Sequence, residues 1–490
     1  MSDEVLLNIL ASFERARVLV LGDVMLDRFV YGSVERTSPE APVPVLALQR
    51  TVYMPGGAAN VARNVIALGA RAELIGVVGA DEAAAELRRD LAALPGLAAE
   101  LIIDPARPTT TKTRFVAERQ QILRTDVELA TALPGPSAAA LLSHYRAALE
   151  HTDIVILSDY GKGVLDGEVT AQAIAAANAA GKPVLVDPKS RSFAKYRGAT
   201  VLTPNKHELQ SACGHECSSD EQVVAAARQI LAQGICATVV ATRGREGMSI
   251  IKADGSALHI RTVATEVYDV TGAGDTAVAA MAVGLAGGAD IADVARLANV
   301  AAGIVVGKQG TATASPDEIL ARLRNEEDSG TAESNYTLER TRLLLSHWRR
   351  LGLRIAFTNG CFDMLHPGHV SLLSQARQAA DRLIVGLNSD RSIKRLKGPG
   401  RPIQNAGARA MVLSALKAVD AVVIFEEDTP LALITALEPD VLVKGADYTL
   451  QTVVGADLVI SRGGQVVLAQ LLPAHSTSDT IRRIAASSQG

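Results

Sequence analysis

DVTGAGD, residues Asp269 to Asp275, stands between an extended run, GSALHIRTVATEVYD (255–269), and a helical one, TAVAAMAVGLAGG (276–288). Gly272 and Gly274 let the backbone turn tightly and approach a ligand closely, with Ala273 between them. The free N–H groups and positive dipole end of the following helix suit an anion. Asp275, at the mouth of that helix, could accept a proton from an attacking hydroxyl. An acid in this position is expected to have a lowered pKa and to be ionised at pH 7. The same seven residues also fit a plain glycine turn followed by an N-cap Asp, so the rest of the chain has to decide.

Working outward on the N-terminal side, RVLVLGD, AELIGVVG, DIVILSD, PVLVDP, TVLTPN and ATVVATRG are apolar runs of buried-strand length, each ending in polar or glycine residues. Alanine-rich helical stretches such as AAAELRRDLAAL and VTAQAIAAANAAG fall between them. This alternation predicts a mainly parallel sheet covered by helices, with ligands beyond the carboxyl ends of the strands. Asp23, Asp159, Asp187, Asn205 and Arg243 fall at those ends. APVPVLALQRTVYMPGG and TTTKTRFVAERQQILRTD break the rhythm as extended segments without helices. They read as an antiparallel flap over the site and a dimer surface, or as a plain edge hairpin.

Four further stretches point the same way. GGAANVARNVIALG puts Gly56, Gly57, Asn60 and Asn64 at a helix start, suited to a polyhydroxylated ligand. TPNKHEL supplies Asn205, Lys206, His207 and Glu208, polar groups able to order a Mg²⁺–water–phosphate network. ATRGREG offers Thr242, Gly244 and Gly247 to a nucleotide phosphate, and ANVAAGIVVGKQGT, with Asn299, could wall an adenine pocket. Together they favour phosphoryl transfer.

On the C-terminal side NEEDSGTAESNYTLER reads as a linker, followed by the helix LERTRLLLSHWRRLG. Strand–helix alternation then restarts with RIAFTNGCFD, RLIVGLNSD, AVVIFEE, DVLVKGAD and GQVVLAQ. The expected division is 1–322, a linker with connecting helix at 323–350, and a smaller domain at 351–490. In that domain TNGCFDMLHPGHVSLLSQA joins a strand to a helix, with His366 and His369 three apart and Pro367 suited to the first helical turn. Two imidazoles on one helix face could hold a metal or donate to phosphates. No motif supplies the further ligands a metal needs, so phosphate binding is the better fit.

The composition agrees. At 490 residues the chain is too long for one core. A net charge of −4 makes no electrostatic case for nucleic acid, and no apolar run approaches membrane-spanning length. Four cysteines make no disulfide framework, so a cytoplasmic setting is expected. Cys213 and Cys217 in CGHEC, with no second pair, read as a loop rather than a zinc site, and no metal site built from protein ligands is expected.

LGDVMLDRFVYG, GGAANVARN, TPNKHEL and DVTGAGD together resemble the ribokinase-like (PfkB) sugar kinases, over roughly the first 320 residues. The resemblance implies a ribokinase-like α/β fold, a mainly parallel sheet with helices on both faces plus a β flap. It makes Asp275 the catalytic base and Gly272, Ala273 and Gly274 the anion hole, with ATP and Mg²⁺ near Asn205 to Glu208. Asp23, Asp27, Gly56, Gly57, Asn60 and Asn64 fall on the sugar side. Where many relatives carry Phe two residues after the acid, this chain has Ala277. No GxxxxGK[ST] loop is present.

The HxGH segment is similar to the cytidylyltransferase-like nucleotidyltransferases, a Rossmann-like α/β fold covering about residues 353–485. That likeness implies phosphate or nucleotide contacts from Asn359, Gly360, Phe362, Asp363, His366, His369, Lys397, Arg409, Lys444 and Ser476, Thr477 and Ser478, with Lys394 as an alternative to Lys397. Both domains on one chain resemble the bifunctional heptose 7-phosphate kinase/heptose 1-phosphate adenylyltransferase family of lipopolysaccharide precursor synthesis. The pairing implies two sites using ATP and sugar phosphates, and a homo-oligomer formed through the flap. A polyol phosphate with CTP in the second domain is the alternative.

Overall fold

The computed structural model describes residues 3–118, 120–262, 270–308, 310–327, 336–350, 352–446 and 448–470. The chain divides into two compact units, Asn8–Glu326 and Glu327–Gly490, with Ser2–Leu7 grouped with the second. Among the described residues no helix is long and apolar enough to cross a membrane.

In chain order the first unit contains β1 (Arg17–Gly22), β2 (Val24–Thr37), β3 (Pro44–Gly57), β4 (Arg71–Val78), β5 (Leu97–Ile103), β6 (Thr111–Ala117) and β7 (Gln120–Val127). It continues with β8 (Ile154–Ser158), β9 (Val184–Asp187), β10 (Ala199–Leu202), β11 (Cys236–Thr242), β12 (Met248–Lys252) and β13 (Ala257–Ile260). The main sheet runs β13-β12-β11-β10-β9-β8-β1-β4-β5. It is parallel from β5 to β11, and β12 and β13 extend it antiparallel. The central strands are buried along almost their whole length, as continuous apolar runs flanked by helices require.

The helix Ala273–Ala286 is buried from Asp275 to Gly284, which explains its run of alanines. A Cβ on Gly284 would stand 2.7 Å from Val294 Cγ2, so the helix Ile291–Val305 approaches at glycine distance. Small residues here replace aromatics as the means of tight packing. Ala277, where many kinases of the resembled type have Phe, is buried in the same helix.

A second sheet, β3-β2-β6-β7, forms the flap. The long pair β2 and β3 is antiparallel, β6 joins β2 in parallel, and β7 closes antiparallel on β6. The sequence showed β3, β6 and β7 as extended. The partner of β3, the equally long β2, lay hidden in the motif LGDVMLDRFVYG.

In the second unit β14 (Ile355–Gly360), β15 (Arg382–Asn388), β16 (Ala421–Phe425), β17 (Val441–Gly445) and β18 (Gln465–Ala469) form a parallel sheet ordered β16-β15-β14-β17-β18. Chain direction across the sheet reverses between β14 and β17. Crevices at such a reversal bind ligands beyond the strand ends, and here those ends carry Asn359, Gly360, Lys444 and Gly445. A core of Ala356, Leu373, Leu383, Val385, Leu413 and Val443 fixes the helices on the sheet.

Candidate active sites

The parallel strands of the first unit carry their polar ends into one cavity of about 300 Å³. Asp275 lies in the first turn of the helix Ala273–Ala286, behind the left-handed turn at Gly272 (φ 80°), a conformation that favours glycine. A Cβ at Gly274 would meet nothing within 4 Å, so the protein itself does not fill that space. Asp275 Oδ2 accepts from Asn60 Nδ2 at 2.6 Å, and Oδ1 accepts from the Tyr160 hydroxyl.

Burial pushes the Asp275 carboxyl up to about 6, against the downward pull of those two hydrogen bonds. This corrects the expectation of an acid lowered by its helix. Removal from water outweighs the dipole at so enclosed a position, because desolvation penalises the charged form directly. A carboxyl at about 6 is still about 90% ionised at pH 7.

Several residues expected on the sugar side hold the site together instead. Asp23 is spent on backbone: its carboxylate accepts from the N–H groups of Tyr160 (2.8 Å), Lys162 (3.0 Å) and Val164 (3.0 Å), shaping the loop that presents Tyr160. Asn64 is fully buried and bonds Asn60 O at 2.9 Å while accepting from Thr276 Oγ1 at 2.7 Å. Asn60 and Asn64 therefore tie the helix Ala58–Ala67 to the turn bearing Asp275. Asp27 does reach the cavity, paired with Arg114 from β6. Its carboxylate lies against Gly56, where a Cβ would stand 2.3 Å from Oδ2, and Gly57 lines the cavity beside it.

On the other side Asn205 and Glu208 form a reciprocal capping box, each side chain bonding the other's backbone N–H at 2.9 Å. Glu208 also pairs with Lys189 at 3.0 Å. Both residues and Thr242 line the cavity, but His207 is exposed and Lys206 turns to Glu246. Gly244 and Gly247 make the turn after β11, both at positive φ. Arg243 is committed to Asp220 and Glu246, so it is a brace for that turn rather than a phosphate ligand. Asn299 bonds Arg261 O at 3.2 Å and Thr262 Oγ1 at 3.2 Å, holding a loop rather than facing the cavity. The residues the sequence reading passed over are Tyr160, Lys112, Arg114 and Lys189, with Asp187 noted only for its strand end; all line the cavity. Tyr160 lies two residues beyond the end of β8, and Lys112 and Arg114 alternate on one flap strand, so position and period were available as signals.

A divalent cation fits this chemistry. Burial, then the charges of Asp275 and Glu208, push the Asp187 carboxyl well above the usual range. Asp27, Asp159, Asp187, Glu208 and Asp275 line the cavity against Lys112, Arg114 and Lys189, an excess of acids that a cation travelling with phosphates would balance. Among the described residues no group of three His, Cys, Asp or Glu side chains could hold a metal ion by itself. Mg²⁺ itself keeps several waters and binds through one or two carboxylates together with substrate phosphates. Cys213 Sγ points to Ala226 O and Cys217 Sγ to His215 O.

In the second unit His366 caps the helix Pro367–Gln378, with Pro367 in its first turn. The His366 and His369 rings stack with centroids 3.7 Å apart, and Phe362 lies 5.0 Å from His369. Burial, then the neighbouring His366, pushes His369 down to about 4, so its imidazole is neutral at pH 7 in the free protein. Lys444 Nζ bonds Asn359 O at 3.1 Å across the reversal point of the sheet, and Gly360 sits against the Phe362 ring. Lys397, close enough to influence His369, and Lys394 are exposed at the end of the helix Asp390–Lys397.

Two residues expected to touch nucleotide do not present themselves to one. Arg409 is wholly buried and bonds Gln404 O, Cys361 O, Asn388 O and Asp390 Oδ1 at 2.6–3.0 Å. Asp363, also buried, accepts from Ile403 N and Gln404 N and pairs with Arg401 at 2.9 Å. Both fix the loop framing the His pair. Ser476, Thr477 and Ser478 lie outside the described residues.

A carboxylate on a glycine-led helix under a flap, followed by a stacked His pair on a separate parallel sheet, defines a ribokinase-like carbohydrate kinase joined to a nucleotidyltransferase. Residues 15–318 match the pfkB family carbohydrate kinases and residues 357–483 the Cytidylyltransferase-like family. The chain resembles the Bifunctional protein HldE of Rhodospirillum rubrum, 53% identical over 479 residues covering 98% of this chain and 97% of that one. It is 52% identical to the Bifunctional protein HldE of a Caulobacter species over 490 residues, the whole of both chains. The chain belongs to this bifunctional family. Among solved structures, phosphofructokinase-2 from Escherichia coli in complex with potassium superposes with a TM-score of 0.53 at 23% identity, over 62% of this chain and 97% of that one. Ribokinase from Arabidopsis thaliana complexed with ribose and ATP gives 0.50 at 19%, over 63% and 98%. At those identities the likeness concerns the fold.

Proposed function

We propose that the first unit transfers the γ-phosphoryl group of ATP to O1 of D-glycero-β-D-manno-heptose 7-phosphate, giving the 1,7-bisphosphate. The second unit transfers an adenylyl group from ATP to the 1-phosphate, giving ADP-heptose and pyrophosphate. The observation that carries this reading is the full-length similarity to HldE proteins together with a kinase-type acid and an HxGH pair on one chain. The working division is 1–322, 323–350 and 351–490, and a reducing cytoplasm suits its free thiols and ATP chemistry.

In the kinase step the sugar hydroxyl lies against Asp275, which takes its proton as the O–P bond forms and ADP departs. Because the transition state is loose, positioning and charge stabilisation do most of the catalysis. The N–H groups of Gly272 to Gly274 receive charge on the transferred group, and Asn60 and Tyr160 hold the carboxylate in place. The side of the cavity bearing Asp187, Asn205 and Glu208 would hold Mg²⁺ through water and phosphate. When bound, Mg²⁺ neutralises charge on the β- and γ-phosphates. In the second step a sugar-phosphate oxygen attacks the α-phosphorus and pyrophosphate leaves, with no covalent intermediate. His366, His369, Lys444 and Lys397 or Lys394 stabilise the added negative charge.

A homodimer through the flap is part of this reading. It is supported by the exposed apolar side chains of Leu48, Ile122, Leu123 and Val127 on β3 and β7. Sedimentation of wild type and Leu48→Glu/Leu123→Glu protein tests it; a wild-type monomer would remove the dimer. Mass spectrometry of products from ATP, Mg²⁺ and a panel of sugar phosphates tests the chemistry. Heptose bisphosphate and ADP-heptose are expected. Pyrophosphate release with CTP but not ATP would replace the second activity by a cytidylyl transfer.

A further inference from the structure

We propose that Lys112 anchors the phosphate that the acceptor sugar already carries, and so makes the kinase selective for a phosphorylated sugar. The inference rests on the kinase reading above and names a contact which that reading leaves open.

Lys112 belongs to β6 of the flap, directly opposite Asp27 of β2 in the parallel register, and its side chain lines the cavity that holds Asp275. Each acid that could neutralise it is engaged elsewhere. Asp27 is paired with Arg114, and Asp126, opposite Lys112 on β7, is paired with Arg124 at 3.0 Å. The neighbouring cation Lys162 has its own partner in Glu128 at 2.7 Å. Among the described residues the Lys112 ammonium has no ion pair or hydrogen bond; it lies over the Tyr160 ring, 5.9 Å from the centroid. Burial holds its pKa below the ordinary lysine value. Asp27 and Asp126 still favour its charge from a distance, but Lys162 and Arg124 oppose it, and a half-buried ammonium with no direct partner in a substrate cavity is suited to an arriving anion.

The spacing suits one end of a sugar phosphate. The ring over which Lys112 sits is the one whose hydroxyl touches Asp275. Allowing about 2.8 Å from ring centre to phenol oxygen and about 2.6 Å for a hydrogen bond, Nζ lies within roughly 11 Å of the carboxylate. A pyranose spans roughly 7–8 Å from its anomeric oxygen to a phosphorus on its exocyclic end. One molecule can therefore offer its hydroxyl to Asp275 and its phosphate to Lys112. The nucleotide's phosphates are a less suitable source of the anion. Asn205, Glu208 and Thr242 follow β10 and β11, and β9 and β8 separate those strands from β1 and the β2 strand that leads into the flap.

The experiment is steady-state kinase kinetics of the full chain, wild type, Lys112→Met and Lys112→Arg. The acceptors are heptose 7-phosphate and the same heptose without its phosphate. Loss of a charge-assisted contact to phosphate should raise KM for the 7-phosphate about 10- to 100-fold in Lys112→Met. KM for ATP should stay within about twofold and kcat/KM for the unphosphorylated sugar should not change, while Lys112→Arg recovers part of the loss. Pyrophosphate release by the second unit, together with an unchanged unfolding midpoint, shows that the variants are folded. Equal losses with both sugars, a rise confined to KM for ATP, or no change would each overturn the proposal. The heptose assignment fails separately. If wild type prefers a different phosphorylated sugar, that sugar with and without its phosphate reads Lys112 in the same way. A wild-type preference for an unphosphorylated sugar overturns the role of Lys112 itself.

Discussion

The two sites move their key groups in opposite directions for the same reason. Burial raises Asp275 to about 6 in the first unit and lowers His369 to about 4 in the second. In each case the low-polarity setting favours the neutral form. The difference lies in what the protein supplies against it. Asp275 is gripped by two donors that favour its ionised state, so it is mostly ionised at pH 7 and suited to the base role proposed for it. His369 is buried and stacked on a second imidazole, both of which disfavour its protonated state, so it is neutral in the free protein. One site is organised around a carboxylate that is mostly ionised at pH 7, the other around an imidazole that is neutral.

The largest effects should separate the two. Asp275→Asn is expected to lower heptose phosphorylation by about 10²–10⁴ while leaving pyrophosphate release intact. His366→Ala should do the reverse. Loss of both activities from either change in folded protein would end the two-site account. Next comes Arg409→Met, which leaves Asp390 and three carbonyls without their donor. About 3 kcal/mol of destabilisation is expected, seen by denaturant unfolding in the second unit's transition, with kinase activity retained. If Arg409 acted on nucleotide instead, stability would hold and the KM for ATP in adenylyl transfer would rise.

A subtler change sharpens the contrast. The groups facing Asp275 are Tyr160 from the loop after β8, Asn60 and Arg63 from the helix Ala58–Ala67, Asp27 from β2 and Asp187 from β9. Kinase kcat/KM should fall as pH drops through about 6, where the base becomes protonated. Tyr160→Phe removes a hydrogen bond to the ionised form, so the acid limb should move to higher pH, with activity largely recovered on the alkaline side. A uniform loss at every pH would mean that Tyr160 only shapes the loop. The smallest effect should follow Asn299→Ala. Loss of two loop bonds is expected to cost about 1 kcal/mol, with the KM for ATP little changed.

Most of the sheet was legible because buried parallel strands advertise themselves as uninterrupted apolar runs, as RVLVLG and IVILS do. The strand β2 was not, because its residues served at once as a motif and as the seam of the flap. Site motifs located the right loops but not the direction of each side chain. Asp23, Asp363 and Arg409 are polar residues at strand ends or helix starts, as ligands are, yet their hydrogen bonds go to surrounding backbone and, for Asp363 and Arg409, to Arg401 and Asp390. Sequence position says which groups are near a site; only the closed account of donors and acceptors says which remain for a substrate. Lys112 is the converse, an unremarkable lysine on a flap strand whose neighbours are all otherwise engaged.

Gly274 carries a practical lesson about how such enzymes are surveyed. Nothing within 4 Å would meet a methyl group there, and the residue sits inside a helix that alanine favours. Gly274→Ala should therefore pass any screen scored on expression, solubility or melting temperature, and could even improve the score. Yet in the proposed kinase step the methyl would stand beside the N–H groups that receive the transferred phosphoryl group. On that proposal a library ranked by thermal robustness would promote a variant impaired in phosphoryl transfer, which an assay that counts product would find.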